Sequence, residues 1–354
     1  MIFRFCAGSE LQDDTKRELT RFLDTQCTAH PFQYPGWAPL VSPLRSFAYC
    51  GWLEDGRSIR AFARCNVLHP ASRLLPGVRA LALTRGPVCD EPELLTRFLS
   101  HLVAAARELG FMYVDISPEH VGAAAEIRCW LESHGWVADA RAPTTLRLDL
   151  RRDCAALIAS FRASTRYEIR RAEKAGVQVR VAGDRRDCEV FYDLLQRTAS
   201  EKDFNADARA QVLHVWQWIS SEPRRGVLLL ASHSGAVQGG VLVACAGGRA
   251  LYVWGASQKN LSCSVGHLLQ WHAIQWAREA GCTEYDFGGY TLGATSGPAF
   301  FKQGFCNEVV HFLPAHRLVL NSARYERCEA WIRWRSGVVA RSRGVRAWSA
   351  GGAG

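Results

Sequence analysis

The chain has 354 residues, 48% of them hydrophobic and 22% charged, the balance of an ordinary soluble globular protein with room for one to three domains. No apolar run approaches the ~20 residues that span a bilayer, and residues 1–10 lack the basic stretch and apolar core of a signal peptide. The thirteen cysteines form no C-x-x-C pair, so no disulfide framework or zinc ribbon is expected and the compartment is a reducing cytoplasm.

In chain order, 47–53 and 59–67 read as hairpin strands joined by Glu54-Asp55-Gly56, a turn signal. Residues 78–83 form a strand that runs into Thr84-Arg85-Gly86-Pro87. A helical period covers 92–109 and Gly110 ends it. Residues 112–116 are a buried-type strand, 123–134 a helix and 146–150 a strand. The second half repeats this order loosely: a helix over 155–175, a strand over 178–181, and helices over 188–200 and 207–219. Strands follow at 227–232, 237–246 and 250–254, with His233-Ser234-Gly235 as a hairpin turn. The helix 265–280 ends at Gly281, and a strand covers 283–287. Antiparallel strands followed by a helix and a further strand are the layout of an acetyltransferase-like layer. The expected fold is α+β: two tandem acetyltransferase-like (GNAT) domains, 1–150 and 151–314, with a cleft between them, and a basic helical tail over 315–354.

That tail is distinctive. Residues 315–354 hold eight arginines against two glutamates, so six of the nine net positive charges fall there. A basic stretch suits a polyanionic partner: tRNA, anionic lipid or a nucleotide-bearing substrate. Arg317, Arg324, Arg327, Arg333 and Arg335 recur at roughly helical spacing among Leu318, Leu320, Tyr325, Trp331 and Ile332. This predicts an amphipathic helix that docks on the second domain and shows arginines to a tRNA body.

Two further patterns carry chemistry. On the helix 155–175, Ile158, Phe161, Ile169 and Ala172 share an apolar face, and Arg162, Arg166 and Arg170 stack beside it at i, i+4, i+8. Arginine grips phosphate bidentately, so this stripe is a candidate phosphate contact near the cleft. The other pattern runs from Glu284 through Tyr285-Asp286-Phe287-Gly288-Gly289-Tyr290 to Phe300-Phe301-Lys302-Gln303-Gly304-Phe305. The chain has only five lysines against 38 arginines. A lysine among phenylalanines, just past a glycine-rich bend, is costly to desolvate unless it is paired or reactive.

Absences narrow the class. An acetyl-CoA enzyme of this general fold carries a Q/R-x-x-G-x-G/A loop whose backbone N–H groups hold pyrophosphate. The equivalent residues here, 258–267, contain only Gly266. There is no P-loop, no Rossmann glycine fingerprint and no G-x-S-x-G elbow. His267 and His272 are five apart and point in different directions, so no metal is expected.

Together these residues resemble the Fem-type aminoacyltransferase family. His30-Pro31-Phe32-Gln33 is similar to the start of its first domain. Thr84-Arg85-Gly86-Pro87-Val88 with Asp90 is similar to its R-G-P-V signature, and 166–177 to the start of its second domain. Gln270-Trp271-His272-Ala273-Ile274 is similar to its late helix, and 285–305 to its C-terminal signature. The resemblance implies two acetyltransferase-like domains and transfer of an amino acid from aminoacyl-tRNA to an amine of a peptidoglycan precursor. Two departures stand out. No coiled-coil arm is visible, and the family's diphosphate-holding lysine is replaced by Val41, which leaves room for a small amine acceptor as in natural-product biosynthesis.

Aminolysis of an activated ester needs orientation, removal of a proton and stabilisation of an oxyanion. Lys302 is the candidate for the oxyanion and Asp286 the fallback base. Arg85, Arg162, Arg166, Arg170, Tyr290 and Phe301 are the candidate substrate contacts. The expected protein is a monomer that needs no cofactor and does not bind DNA. The competing reading is an acyl-CoA-dependent N-acyltransferase on the same fold.

Overall fold

The computed structural model describes residues 1–37, 45–56, 58–70, 78–119, 124–140, 142–202, 207–258, 263–293 and 297–349. Val41 lies outside them. The first sheet contains β1 (Ile2–Ala7), β2 (Arg45–Asp55), β3 (Ser58–Leu68), β4 (Ala80–Thr84), β5 (Tyr113–Ser117) and β6 (Val137–Ala138). The second contains β7 (Thr144–Asp149), β8 (Gln178–Val181), β9 (Gly226–His233), β10 (Ala236–Ala246), β11 (Arg249–Ser257), β12 (Glu284–Tyr290) and β13 (Val309–His311). The chain then returns to the first sheet as β14 (His316–Val319), between β5 and β6.

Among the described residues each sheet has one parallel pair, β4 with β5 and β11 with β12. The β11–β12 ladder stops at Leu251 and Asp286, although the strands run on to Ser257 and Tyr290. The two strands therefore part at their C-terminal ends, and that gap receives the site.

In the first half, α1 (Asp13–Thr25), α2 (Pro92–Glu108) and α3 (Ala124–Ser133) flank the sheet. Leu95, Phe98, Leu99, Leu102 and Ala106 of α2 recur at three- and four-residue spacing and are fully buried, the stripe a core-facing helix needs. Gly110 ends that helix at φ +72°. The second half adds α4 (Cys154–Ser160), α5 (Ala163–Lys174), α6 (Arg185–Lys202), α7 (Arg209–Ser220), α8 (Val265–Glu279) and α9 (Gly297–Gln303), and α10 (Ser322–Ser349) follows β14.

One apolar core is shared by the two halves. Leu19, Leu23, Trp37, Trp52 and Phe62 of the first half pack in one cluster with Phe191, Leu195, Val215, Leu230 and Leu242 of the second. Trp218 meets Tyr34 and Trp37 at 5.4 and 5.3 Å. A Cβ on Gly36 would lie 2.5 Å from the Trp218 ring, so only glycine fits there.

The structure corrects several sequence expectations. The helix expected over 155–175 is two helices, because Phe161 leaves helical geometry and packs against Phe305 and Trp271 at 5.1 and 5.6 Å. The strand near 146–150, assigned to the first half, hydrogen-bonds between β12 and β13 of the second sheet. The tail is not a separate helix on the second domain. Its first residues form β14, and α10 packs Tyr325, Cys328, Trp331 and Ile332 against Ala80, Met112 and Tyr113 of the first half.

This placement has a direct consequence. A chain cut after Pro314 loses a strand flanked on both sides in the first sheet, along with the cover over Met112 and Tyr113. We expect that truncation to abolish cooperative unfolding of the first half, followed by circular dichroism against urea. A truncated protein with an unchanged transition would contradict the docking described above.

Candidate active site

Lys302 sits near the end of α9, and its half-buried ammonium enters the gap between the parting strands. Nζ donates to the carbonyls of Gly289 at 2.7 Å and Gly288 at 3.2 Å. The Tyr252 ring of β11 lies 6.0 Å away. Burial pulls the Lys302 pKa down to about 8, and the charge of Asp286 works against that fall. Two of the three N–H groups are thus committed, which leaves one for a substrate oxygen.

Local sequence explains this placement. Gly288 adopts φ +68°, and a Cβ there would stand 3.2 Å from the Tyr252 carbonyl. Gly304 presses on α5: a Cβ would fall 2.2 Å from Thr165 Oγ1. The Gly304 carbonyl accepts from the Arg162 N–H at 2.8 Å, across the break between α4 and α5. Phe301 turns inward onto Phe305 and His267 at 5.3 and 4.9 Å. Phe300 is 59% exposed. The lysine's partners are therefore carbonyls and a tyrosine ring rather than the two neighbouring phenylalanines. Tyr290 is buried, and its hydroxyl accepts from Gln303 Nε2 at 2.5 Å.

Asp286 is buried and holds three donors. Its Oδ1 accepts from the Thr145 hydroxyl and the Gly288 N–H, and its Oδ2 from Arg147 Nε at 3.2 Å. A carboxylate holding three donors orders the bend at Gly288 and has no oxygen turned to a substrate amine. The general-base role expected for it does not suit this geometry.

Arg147 leads to a buried ionic cluster that the sequence reading missed. Glu119, just past β5, takes Arg147 Nη2 at 3.1 Å, Arg85 Nη1 at 3.2 Å and Arg249 Nη2 at 3.7 Å. His30 Nε2 stands 3.9 Å from the same carboxylate. Burial first, then Arg85, Arg249 and Arg147, hold the His30 pKa well below its ordinary value. His30 is therefore neutral, and its Nδ1 accepts the Phe32 N–H at 3.2 Å. Arg85 and Arg147 both lie over the Phe312 ring, at 4.6 and 5.1 Å.

Arg85 adopts φ +57°, sparsely populated for a side chain of this size. Three contacts impose it. Its N–H donates to Ser117 Oγ at 3.1 Å. Gly86 abuts Gln33, where a Cβ would come within 2.7 Å. Gln33 in turn donates to the Thr84 carbonyl at 2.7 Å and accepts from the Arg64 N–H at 2.7 Å. The His-Pro-Phe-Gln and Arg-Gly-Pro segments, far apart in sequence, thus build one corner of the site. Asp90 fixes the preceding residues by accepting from the Thr28 hydroxyl at 2.7 Å.

A second feature is an open cavity of about 490 Å³ between the N-terminal ends of α5 and α8. Arg162, Arg171, Ser164, Thr165, Ser264 and Phe300 are among its lining residues. The Arg162 guanidinium stacks on Phe300 at 4.1 Å. The arginine stripe thus divides. Arg162 reaches the cavity, whereas Arg166 donates to the Ala159 and Phe161 carbonyls and closes the end of α4. Arg170 is exposed and does not line the cavity, whereas Arg171 does.

The tail arginines divide as well. Arg317 lies on β14, pairs with Asp115 at 2.7 and 2.8 Å and stacks on Tyr113 at 4.0 Å, so it holds the tail in place. Arg324 donates to the Gly110 carbonyl at 3.3 Å and Arg327 to the Ala323 carbonyl at 3.1 Å. Arg327, Arg333 and Arg335 are exposed on α10, with Arg335 beside the Trp331 ring at 5.3 Å. Among the described residues no three His, Cys, Asp or Glu side chains converge as a metal site, and no helix is long and apolar enough to cross a membrane.

Residues 159–303 match the acetyltransferase (GNAT) domain family model. The crystal structure of FemX superposes with a TM-score of 0.76 at 17% identity, covering 88% of this chain and 98% of that one. The chain has a tandem GNAT fold. L-PGS from Bacillus licheniformis shares it with a TM-score of 0.57 at 11% identity, covering 92% of this chain and 98% of that one. The C-terminal domain of a putative lysylphosphatidylglycerol synthetase from Agrobacterium fabrum gives 0.54 at 15%, covering 92% and 96%. No curated protein matches the chain by sequence. At these identities the likeness is one of fold. Within this tandem GNAT fold, the gap between β11 and β12 holds a lysine, and the neighbouring helix N-terminus opens onto arginines in place of a glycine-rich loop.

Proposed function

We propose that this protein transfers an amino acid from aminoacyl-tRNA to an amine and so forms an amide bond. The observation that carries the reading is the Lys302 ammonium, held by two carbonyls between parting strands with one N–H to spare. The acceptor amine attacks the ester carbonyl and a C–N bond forms. The resulting oxyanion is met by Lys302. The C–O bond to the terminal ribose then breaks, and the ribose oxygen departs with the proton from the amine. Asp286 already holds three donors and Glu168, which lines the neighbouring cavity, pairs with Arg171 at 3.6 Å, so in this account the proton travels on the substrates. The ester is already activated, and the step needs no further energy source.

The cavity at α5 and α8 suits the phosphate-bearing end of the donor: Arg162 for a phosphate, with Arg171 beside it shared with Glu168 at 3.6 Å, an exposed phenylalanine for a base and hydroxyls for a ribose. The alternative reading is acyl-CoA-dependent N-acyltransfer. It is disfavoured by residues 258–267, where the pyrophosphate loop of such enzymes is absent. FemX as a fold relative supports the first reading, with a peptidoglycan precursor or a small amine as the acceptor. The exposed arginines of α10 serve the tRNA body in this account.

Binding of a short RNA hairpin ending in CCA tests the reading. Arg162→Glu and Arg171→Glu should each weaken it at least ~10-fold, because a favourable charge contact becomes a repulsive one. Acetyl-CoA should not compete. Equal displacement of the hairpin by acetyl-CoA would favour the alternative.

A further inference from the structure

Glu119 belongs to the first half, whereas Arg147, Arg249 and Asp286 belong to strands of the second. Arg147 bridges the two buried carboxylates, Glu119 at 3.1 Å and Asp286 at 3.2 Å, and reaches Glu284 at 3.6 Å. Asp286 accepts the Gly288 N–H at 2.8 Å, and the Gly288 carbonyl accepts from Lys302. A continuous chain of polar contacts therefore runs from Arg85 through Glu119, Arg147 and Asp286 to Lys302.

We propose that Glu119 is a positioning residue for Lys302: it shares Arg147 with Asp286 and so sets how much of the Asp286 charge remains to act on the ammonium. The inference rests on the reading of Lys302 as the reactive group. Arg147 is one cation between two buried anions. With Glu119 present, its charge is divided between them. With Glu119 neutral, more of the Arg147 charge falls to Asp286, the field at Lys302 becomes less negative and the ammonium gives up its proton more readily.

The groups around Lys302 make this link readable. From β12 they are Asp286 and two carbonyls, and from β11 the Tyr252 ring, whose hydroxyl burial raises to about 12. His267 of α8, with its pKa lowered chiefly by burial, lies against Phe301, and Arg162 lies over Phe300. Asp286 is thus the carboxylate that acts on the ammonium, and its charge is what Glu119 tunes.

The five lysines allow a direct test without substrate. In protein labelled with ¹³C at the lysine ε-carbon, and with the Lys302 signal assigned through Lys302→Arg, the titration of Nζ is followed by NMR. Glu119→Gln should move the Lys302 midpoint down by roughly half a pH unit or more. In an Asp286→Asn background the same change should have little effect, since the intermediary is gone. Asp115→Asn, which removes a carboxylate paired elsewhere with Arg317, should leave the midpoint in place. If Glu119→Gln does not fold, Arg85→Gln replaces it: Glu119 is then free to draw on Arg147, and the midpoint should rise. An unmoved midpoint in the folded variant, or a shift that persists undiminished without Asp286, would overturn the proposal. Because no donor or acceptor is present, this result is independent of whether charged tRNA is the donor.

Discussion

Lys302→Ala is expected to lower the rate of amide formation at least ~10²-fold, because a preorganised donor facing a developing oxyanion contributes roughly 3–4 kcal/mol. Folding should change little, since the ammonium binds only two carbonyls at the edge of a bend. Lys302→Arg should also be poor. A guanidinium is wider and planar and cannot place single N–H groups on Gly288 and Gly289 while aiming another outward. The sign of the pH dependence separates the roles open to this lysine. With its pKa pulled down to about 8, an oxyanion-stabilising ammonium loses activity as pH rises through that value. A general base would gain activity over the same interval. Single-turnover rates between pH 6 and 9 distinguish the two, and near-normal turnover by Lys302→Ala would remove the lysine from the mechanism.

The second large effect concerns stability. Arg147→Ala removes the cation between Glu119 and Asp286, both of which are 4% exposed. Glu119 keeps Arg85 and Arg249, but Asp286 loses its cation, and breaking such a buried ionic contact costs roughly 3–5 kcal/mol. Urea unfolding should show that loss. A variant with wild-type stability at neutral pH would mean that the cluster contributes nothing net to folding. Arg147→Lys should recover only part of the loss, since one ammonium cannot serve both carboxylates as the guanidinium does.

What the sequence revealed of the site follows from how local each constraint is. Lys302 was legible because a lysine among aromatics is costly without a partner, whereas the need for Gly304 comes from Thr165 on a separate helix and shows only in the structure. The Arg85-Gly86 corner could be recognised as a motif, although its physical cause, the Gln33 side chain against Gly86, comes from a segment far away. Glu119, Arg147 and Arg249 escaped notice because each looks ordinary in its own stretch. Only the placement of β7 beside β12, and of the turn after β5 above them, makes them one cluster. The longer elements of the second half, β9 to β11 and α8, were read near their observed bounds because they carry a clear period, whereas the short α9 and β13 went unread and the helix over 155–175 proved to be two. The tail misled for the opposite reason. Arginines at helical spacing masked a four-residue strand at β14, too short to show an alternating pattern. β1 and α1 went unread, although Leu19 and Leu23 of α1 are fully buried in the shared core.

The central claim concerns the donor, and one assay addresses it directly. The purified protein is supplied with a pool of tRNA charged with radiolabelled amino acids, a mixture of small amines and peptidoglycan precursors, and, in a parallel reaction, labelled acetyl-CoA. The account predicts amide-linked label and uncharged tRNA in the first reaction, both dependent on Lys302, and no labelled product in the second. Label transferred from acetyl-CoA while charged tRNA is left intact would contradict it.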